Sequence, residues 1–221
     1  MRTKSERLFE SFCEVHGLTC HRVSTTIKPR PDYELEIGTH RLLVEVKQFD
    51  PNKEEQAFMA FLANGGKQVA LGGKPGERLR RAIRAANTQF KELLAGRLMP
   101  TMLVVYNNTP TTSHTAPYAV MTAMRGLDVV PVMVPSNRSE SPRFCHTRSG
   151  PEQAMRADAN TSTSALAVLS EVNAREFALV VYHNRHAAAE LDPSLMRLPG
   201  VSHLRLPKGA PNSIDAQWEP L

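Results

Sequence analysis

Two carboxylates and a lysine in the segment from Pro31 to Lys47 have the types and spacing that suit binding of a divalent cation. Mg²⁺ prefers oxygen ligands in octahedral geometry and keeps several waters, so two carboxylates and one carbonyl suffice on the protein side. Asp32, Glu45 and the backbone carbonyl of Val46 are therefore the predicted ligands of Mg²⁺ or Mn²⁺. Lys47 is predicted to orient an attacking water and to offset phosphate charge.

The same segment predicts a β-hairpin that brings these residues together. Alternating apolar and polar runs at 32–37 and 41–47 flank a short turn that contains glycine. Because side chains alternate along a strand, Glu45 and Lys47 point to one face of the sheet. Asp32 opens the first run, so the pairing can bring it near Glu45. A simpler alternative for Glu45 and Lys47 is an ion pair on a solvated strand.

Two predicted helices on either side of the hairpin carry further polar candidates. The first spans 1–17, and Glu6 lies at the edge of its apolar stripe. Glu6 is thus the acidic residue of this helix expected to face inward, although a glutamate in the first turn is also favoured by the helix dipole. The second helix spans 77–95, and its Gln89 projects toward the sheet. A buried glutamine needs hydrogen-bond partners, which an active site can supply.

Basic residues favour a polyanionic partner. The net charge is +5 with a pI of about 9.3, and arginines crowd the polar surface of the helix at 77–95. Both phosphate contact and a solvated helix flank account for such a surface. The candidate nucleic-acid contacts are Lys28, Arg30, Lys74, Arg78, Arg80, Arg81 and Arg84.

Three other motifs are rejected on their spacing. The glycine-rich segment 65–76 lacks the serine or threonine that follows the lysine of a nucleotide-binding loop, so no nucleotide cofactor is expected. Cysteines and histidines between residues 13 and 21 match no established zinc site, and a core or surface role is favoured. The histidines and asparagine at 183–186 are adjacent in sequence, whereas an HNH nuclease takes them from separate elements.

The composition and the distribution of apolar residues indicate the cellular compartment in which the protein is expected. The chain of 221 residues has three cysteines, which cannot all pair and so favour a reducing environment. Its first residues are charged rather than apolar, and no apolar run is long enough for a membrane span. A cytoplasmic protein without membrane contact is expected.

The remaining pattern predicts one α/β domain with an extension. Apolar runs at 100–106 and 178–184 predict two core strands of one sheet, whereas 164–171 fits a helix or a strand. Residues 107–206 are expected to pack on the same sheet as 1–106. The polar, proline-rich end at 207–221 is expected to be a loose tail, and the sequence leaves open whether Trp218 anchors it.

At these residues the sequence resembles the PD-(D/E)XK nuclease superfamily. Pro31 and Asp32 are followed by Glu45, Val46 and Lys47, with spacings similar to those of archaeal Holliday-junction resolvases. The resemblance covers 1–106 in the family order helix, three strands, helix, strand. It implies a restriction-endonuclease-like core with a mixed central sheet flanked by helices.

The resemblance also implies an activity. It suggests Mg²⁺-dependent hydrolysis of DNA in which Asp32 and Glu45 bind metal and Lys47 assists the water. Glu6 would contribute a further ligand or hydrogen bond, and Gln89 resembles a glutamine that RecB-like members carry on this helix. The segment 51–76 is longer than in compact resolvases, and no family signature follows residue 106, so the resemblance does not predict which DNA is cut.

Two other function classes remain open from the sequence. A nuclease-fold module could bind nucleic acid without cleaving it, and its binding would persist when the three site residues are replaced. An interaction subunit could instead bind an acidic protein through its basic surface. Cleavage of both strands by one site each would favour a homodimer or a partner subunit.

Overall fold

The structure is a computed structural model that describes most of the chain. The described residues are 2–23, 30–67, 74–110, 112–137, 139–145, 148–150, 152–206 and 218–221. Lys28, one of the predicted nucleic-acid contacts, lies outside these ranges, as does part of the glycine-rich segment 65–76.

Helices and strands alternate through the first half of the chain, and strands dominate the second half. The helices are α1 (Lys4–Val15), α2 (Lys53–Ala63), α3 (Glu77–Leu94) and α4 (Pro117–Arg125). The strands are β1 (Thr19–Arg22), β2 (Tyr33–Ile37), β3 (His40–Phe49), β4 (Thr101–Asn107), β5 (Asp128–Val129), β6 (Val132–Met133), β7 (Arg143–Phe144), β8 (Arg148–Ser149), β9 (Ala165–Asn173), β10 (Glu176–His183), β11 (Val201–Arg205) and β12 (Glu219–Pro220). Among the helices in the described ranges, none is both long and apolar enough to cross a membrane.

Eight strands form one mixed sheet in the order β1-β2-β3-β4-β9-β10-β11-β12. The three central strands β3, β4 and β9 are parallel neighbours, as are β10 and β11, and the remaining neighbours are antiparallel. Short antiparallel pairs β5-β8 and β6-β7 lie outside this sheet. The chain is therefore an α/β protein with a mixed central sheet flanked by helices, as the sequence predicted.

Helices cover both faces of the sheet. On one face α1 packs through Phe9 and Phe12 against Val44 and Val46 of β3. On the other face α3 and α4 pack over odd-numbered residues of β3 such as Phe49. Since side chains alternate along a strand, Glu45 and Lys47 share the face that α3 covers. The hairpin strand β3 thus presents its polar pair between the sheet and the arginine-rich helix.

The ends of the helices follow local sequence signals. Thr3 caps α1 through a capping box, in which its hydroxyl accepts a bond from the Glu6 amide and the Glu6 carboxylate accepts one from the Thr3 amide. α3 lies where the sequence placed it. The left-handed residue that ends α3 is Ala95, with φ of 45°.

The second half of the chain extends the sheet of the first. The segment 164–171, open between helix and strand from sequence, forms most of β9. The two similar apolar runs form β4 and β10 of the same sheet, which confirms the prediction of two core strands. Both strands are buried because helices or loops cover their faces.

The last described residues differ from the predicted loose tail. The ring of Trp218 packs edge-on against Tyr182 at 4.6 Å between centroids, and its indole nitrogen donates to the Pro117 carbonyl at 3.3 Å. The following strand β12 pairs with β11. A large amphipathic ring near the chain end thus anchors residues 218–221 to the sheet edge, whereas 207–217 lie outside the described residues.

Candidate active site

Asp32 and Glu45 lie directly opposite each other where the β2-β3 pairing ends. Tyr33 pairs with Val44 in this antiparallel ladder, so the next position outward places Asp32 opposite Glu45. Tyr33 and Val44 face the α1 side of the sheet, and by alternation Asp32 and Glu45 belong to the α3 side. Opposite residues on one face have Cβ atoms about 5 Å apart. The two predicted carboxylate ligands are therefore neighbours.

Glu45 and Lys47 form an ion pair along β3. The Lys47 ammonium contacts Oε1 of Glu45. Glu45 is only 1% exposed, whereas Lys47 is partly open to solvent. The second carboxylate oxygen, Oε2 of Glu45, is buried and has no hydrogen-bond partner among the described residues. A solvated surface ion pair is thus not the environment of Glu45, and its orphaned oxygen is available to a cation.

Burial shifts the titration of both carboxyls in the same direction. It raises the pKa of Glu45 to about 7, and the nearby charge of Asp32 adds to the rise while Lys47 opposes it. Burial also raises the pKa of Asp32 above its ordinary value, opposed by the bond from the Val46 amide and by the charge of Lys47. The buried Glu45 and the half-buried Asp32 with one lysine carry an excess negative charge when both carboxyls are ionised, which a divalent cation would neutralise.

The backbone of Val46 faces the same place as the two carboxylates. Its amide donates to Oδ2 of Asp32 at 2.8 Å. The amide and carbonyl of one residue in a strand point to the same side, so the Val46 carbonyl points past the start of β2, where the ladder has ended. Asp32, Glu45 and this carbonyl together fit the oxygen-donor set predicted for Mg²⁺ or Mn²⁺.

Glu6 is buried, as its place at the edge of the apolar stripe predicted, but its carboxylate already has partners. Oε2 accepts bonds from the Thr3 amide at 2.6 Å and the Thr3 hydroxyl at 3.0 Å, and Oε1 accepts one from Arg22 at 2.6 Å. Burial acts to raise the pKa of Glu6, yet the bonds from Thr3 and the charge of Arg22 hold it below its ordinary value. Glu6 therefore caps α1 and pairs with β1, and its role as a metal ligand stays a prediction.

The donor set at this site is small. Within the ranges that the structure describes, no group of three or more His, Cys, Asp or Glu side chains is placed to hold a metal ion. Asp32 and Glu45 with a carbonyl would leave the other positions to water, which is the arrangement that Mg²⁺ tolerates and a closed zinc site does not. The rejected zinc cluster between residues 13 and 21 likewise forms no such group.

Gln89 lies on the side of α3 that faces the sheet. Its helix neighbours Ala86 and Phe90 are buried in the core on this side, and Gln89 itself is half-buried. Its Oε1 is buried without a hydrogen-bond partner in the described parts of the chain. No hydrogen bond joins Gln89 to Glu45, so the structure supports its inward direction and leaves its catalytic role a prediction.

Ser5 and Gln48 position α1 relative to the site, and sequence reasoning did not find either residue. The Ser5 amide at the start of α1 donates to Oε1 of Gln48 at 2.9 Å. Nearby, the ammonium of Lys4 lies 5.2 Å from the ring centre of Tyr106. In the sequence, Gln48 directly follows Lys47. Because side chains alternate along β3, Gln48 lies on the opposite face from Lys47, which is the face that α1 covers.

A second polar cluster lies beyond the end of β3. Oδ1 of Asp50 accepts a bond from the side-chain Nδ2 of Asn108 at 2.7 Å, and the backbone carbonyl of Asp50 accepts one from Arg78 at 2.7 Å. Arg78 also reaches Glu55 at 3.4 Å, and the Glu55 carboxylate contacts the imidazole of His114. Arg78 thus links α3 to the start of α2 rather than standing free for phosphate.

Four of the other predicted nucleic-acid contacts lie at exposed positions. They are Arg30, Lys74, Arg81 and Arg84. Arg81 pairs with Glu77 one helical turn earlier, and Lys74 lies 3.9 Å from Glu152. Such exposed pairs are weak and can be exchanged for phosphate contacts.

The prediction that Arg80 lies on the polar surface of α3 is wrong. Arg80 is 3% exposed, donates to the Pro75 carbonyl at 3.0 Å and forms an ion pair with Glu152 at 3.0 Å. It lies next to the buried Leu79 and about one turn before Ile83, so the helical arc that packs on the core includes it. Arg80 holds the start of α3 to the segment around Glu152.

The site combines one buried and one half-buried carboxylate, a carbonyl and a lysine on rigid strands, with exposed cations on a neighbouring helix. Oxygen donors of this kind hold a divalent cation, and a lysine beside them can position a water or a phosphate oxygen. Strands hold such groups more rigidly than loops do. Comparison of the chain with protein-family models, with curated proteins and with solved structures found no significant match.

Proposed function

We propose that this protein is a divalent-metal-dependent endonuclease that hydrolyses phosphodiester bonds in DNA. The observation that carries the proposal is the opposition of Asp32 and Glu45 beside Lys47, with Oε2 of Glu45 buried and unpartnered among the described residues. A structural ion pair would not need a second, half-buried carboxylate beside the buried one, whose charge costs free energy. A cation-binding role explains why both are retained at one place.

The chain's own groups have separate tasks in this proposal. Asp32, Glu45 and the Val46 carbonyl would hold Mg²⁺ or Mn²⁺, which when bound neutralises phosphate charge and activates water at neutral pH. Lys47 contacts Glu45 from a partly exposed position, from which its ammonium can donate to a water or to a phosphate oxygen. The Val46 amide fixes Asp32, so the carboxylate is oriented before any ligand arrives.

The fold order supports placing the chain in the PD-(D/E)XK superfamily with a restriction-endonuclease-like core. A helix with an inward glutamate is followed by three antiparallel strands, the additional helix α2, an arginine-rich helix and a parallel strand. Asp32 stands at the start of the second strand, and Glu45, Val46 and Lys47 lie in the third. In this assignment β9 to β12 form an extension of the core sheet.

DNA is the proposed polyanionic substrate. Exposed cations lie on α3, which covers the sheet face that carries Glu45 and Lys47. Arg84 is exposed there, and Arg81 can exchange its partner on the helix surface for a phosphate. Arg30, two residues before Asp32, is exposed as well and would contact the backbone next to the cleaved bond.

The experiment that tests the proposal is a cleavage assay with duplex, single-stranded, branched and RNA substrates, with Mg²⁺, Mn²⁺ or a chelator. Wild type should cut DNA only with metal, and Asp32→Asn and Glu45→Gln should lose cutting by at least about a hundredfold. Glu36→Gln is the matched control, because Glu36 lies on the same hairpin but in a surface contact with His21 at 3.7 Å. Equal cutting by Glu45→Gln and wild type would refute the mechanism.

Binding of the same nucleic acids to the same variants, measured by gel shift, separates the two other function classes. A module that binds without cutting would shift DNA in a gel at physiological salt, and its affinity would not change in Asp32→Asn or Glu45→Gln. An interaction subunit would not bind any of the nucleic acids at that salt. Metal-dependent cutting that is lost in both variants excludes both classes.

A further inference from the structure

Cys13 of α1 and Cys20 of β1 line one cavity on the α1 side of the sheet. The cavity has a volume of about 330 Å³ and also borders Arg2, Glu10 and Arg22. Cys13 is 2% exposed and belongs to the core, and Cys20 is half-buried and packs against that core. A core cysteine and a half-buried cysteine therefore border the same solvent-connected cavity.

The local fold explains why the thiols meet. α1 ends at Val15, and Gly17 adopts a positive φ of 65° that reverses the chain. The amide of Leu18 then donates to the Cys13 carbonyl at 2.8 Å, so β1 runs back beside the end of the helix. Cys20 on β1 thus returns to the level of Cys13.

The two thiols are chemically unequal. Interaction with the Cys13 thiol lowers the pKa of Cys20, while interaction with Cys20, followed by burial, raises that of Cys13. Arg22, whose guanidinium is paired with Glu6, lines the same cavity, as does Glu10, whose charge acts to raise the pKa of both thiols. A half-buried cysteine with a favoured thiolate is the type that attacks electrophiles, and a buried neutral thiol next to it can complete a disulfide.

We propose that Cys13 and Cys20 are a peroxide-sensitive thiol pair that closes into a disulfide between α1 and β1. In the first step the Cys20 thiolate attacks hydrogen peroxide, the O–O bond breaks, and Cys20 sulfenic acid and hydroxide form. In the second step the Cys13 sulfur attacks the sulfenic sulfur, the S–O bond breaks, and the Cys13 proton leaves with the oxygen as water. The hydroxide from the first step takes up the proton that Cys20 lost on ionisation, so in total two thiols are oxidised and one peroxide is reduced to two waters.

This modification is independent of the proposed DNA cleavage. The bond would join the helix that carries Glu6 to the strand that carries Arg22, whose side chains are already paired. It therefore fixes an existing contact rather than breaking one. The third cysteine, Cys145, is exposed and lies in the segment between β7 and β8, so it serves as an internal reference.

The test is peptide mass spectrometry of the full-length protein. Fully reduced protein is treated with stoichiometric hydrogen peroxide, blocked with an alkylating reagent under denaturing conditions and digested. The expected product is one intramolecular linkage between the peptides that contain Cys13 and Cys20, with Cys145 alkylated, and a thiol reductant should reverse it. Unlinked Cys13 and Cys20 at a dose that oxidises Cys145 would overturn the proposal.

Two variants check the order of the steps. In Cys13→Ala, Cys20 should stop at the sulfenic acid and react with a dimedone probe, whereas in Cys20→Ser the linkage and the probe signal at this cavity should both disappear. Circular dichroism shows whether Cys13→Ala folds, and the wild-type result stands without it. Linkage of Cys145 to either cysteine in wild type, or a probe signal on Cys13 in Cys20→Ser equal to that on Cys20 in Cys13→Ala, would contradict the assignment.

Discussion

The carboxylate of Asp32 takes the place of a strand partner for the amide of Val46, which donates to it at 2.8 Å. The β2-β3 ladder ends at Tyr33 and Val44, so a side chain rather than the next backbone carbonyl satisfies this amide. One residue thus ends the strand pairing and holds a carboxylate opposite Glu45. The hydrogen bond from Val46 to Asp32 therefore both completes the end of the strand pairing and orients a proposed metal ligand.

This bond predicts different stabilities for two Asp32 variants. Asp32→Ala leaves the Val46 amide without its acceptor and should lower the free energy of unfolding by about 1–3 kcal/mol. Asp32→Asn keeps an oxygen acceptor at the same position and should lose clearly less. Urea unfolding of the metal-free proteins measures both values. Equal losses would show that the Val46 amide finds another partner.

The titration of Glu45 predicts how stability changes with pH in the metal-free protein. Its folded pKa of about 7 lies above the ordinary value of 4.5. Between these values the folded state binds the proton more tightly than the unfolded state, so this group makes stability fall as pH rises. Glu45→Gln removes the effect and should be more stable than wild type at pH 8, by up to about 3 kcal/mol.

The measurement is unfolding of wild type and Glu45→Gln in chelator at pH 5 and pH 8. The gain should appear at pH 8 and shrink at pH 5, where Glu45 is protonated in wild type. Glu36→Gln is again the control, and it should follow the pH dependence of wild type. A gain of equal size at both pH values would mean that packing, not charge, separates the variants.

Local patterns were enough to predict the elements that carry the site. The hairpin follows from alternation of apolar and polar residues around a glycine turn, and α3 follows from a helical apolar stripe that ends near Gly96. The register of the hairpin was not predicted, yet the opposition of Asp32 and Glu45 depends on it. Register is set by packing on both faces and by where β2 begins.

Long-range partners were beyond the sequence. Glu6 was predicted to face inward and does, but its partner Arg22 lies on another element. Arg80 was predicted to be on the surface because it was grouped with the other arginines of α3. In the structure it is buried and forms an ion pair with Glu152, which lies far along the chain. A charge pattern on one helix cannot reveal which residue a distant loop brings to it.

The burial of Arg80 predicts that arginines of one helix have different roles. Arg80→Ala removes bonds to Pro75 and Glu152 from a buried position and should lower the free energy of unfolding by about 2 kcal/mol. Arg84→Ala, at an exposed position, should change it by less than about 0.5 kcal/mol. Thermal unfolding separates the two.

DNA binding should show the opposite order. Arg84→Ala should weaken affinity and reduce the dependence of log affinity on log salt by about one unit. Arg80→Ala, measured below its unfolding temperature, should bind as wild type does. Weaker binding by folded Arg80→Ala, with Arg84→Ala unchanged, would return Arg80 to the phosphate-binding surface.

A buried histidine pair predicts loss of stability in acid. Nε2 of His183 lies 2.9 Å from Nδ1 of His203, and burial with the charge of His203 lowers the pKa of His183 to about 4. Because the ordinary value of 6.5 is higher, the unfolded state binds the proton first. The contribution of neutral His183 to the free energy of unfolding is therefore lost as pH falls from 6.5 to 4.

His183→Gln should reduce this loss of unfolding free energy in acid by up to about 3 kcal/mol. Unfolding at pH 7.5 and 4.5 measures the difference between the two pH values, which does not depend on how far the substitution itself destabilises the protein.

Lys47 predicts a separation of cation binding from catalysis. Lys47→Met removes the ammonium that contacts Glu45 but none of the oxygen donors of Asp32, Glu45 and Val46. Loss of the positive charge should leave Mn²⁺ affinity equal or higher, because one cation no longer competes for the carboxylate. Cleavage should fall by at least about a hundredfold, since the water or phosphate oxygen loses its donor.

Lys47→Arg keeps the charge but changes the position of the donors. It should bind Mn²⁺ as wild type does and keep only part of the cleavage activity. Calorimetric titration with Mn²⁺ and single-turnover cleavage test the two properties on the same preparations. If Lys47→Met lost Mn²⁺ binding while it stayed folded, Lys47 would be needed to shape the carboxylate pair, and its assignment to the water or phosphate would be wrong.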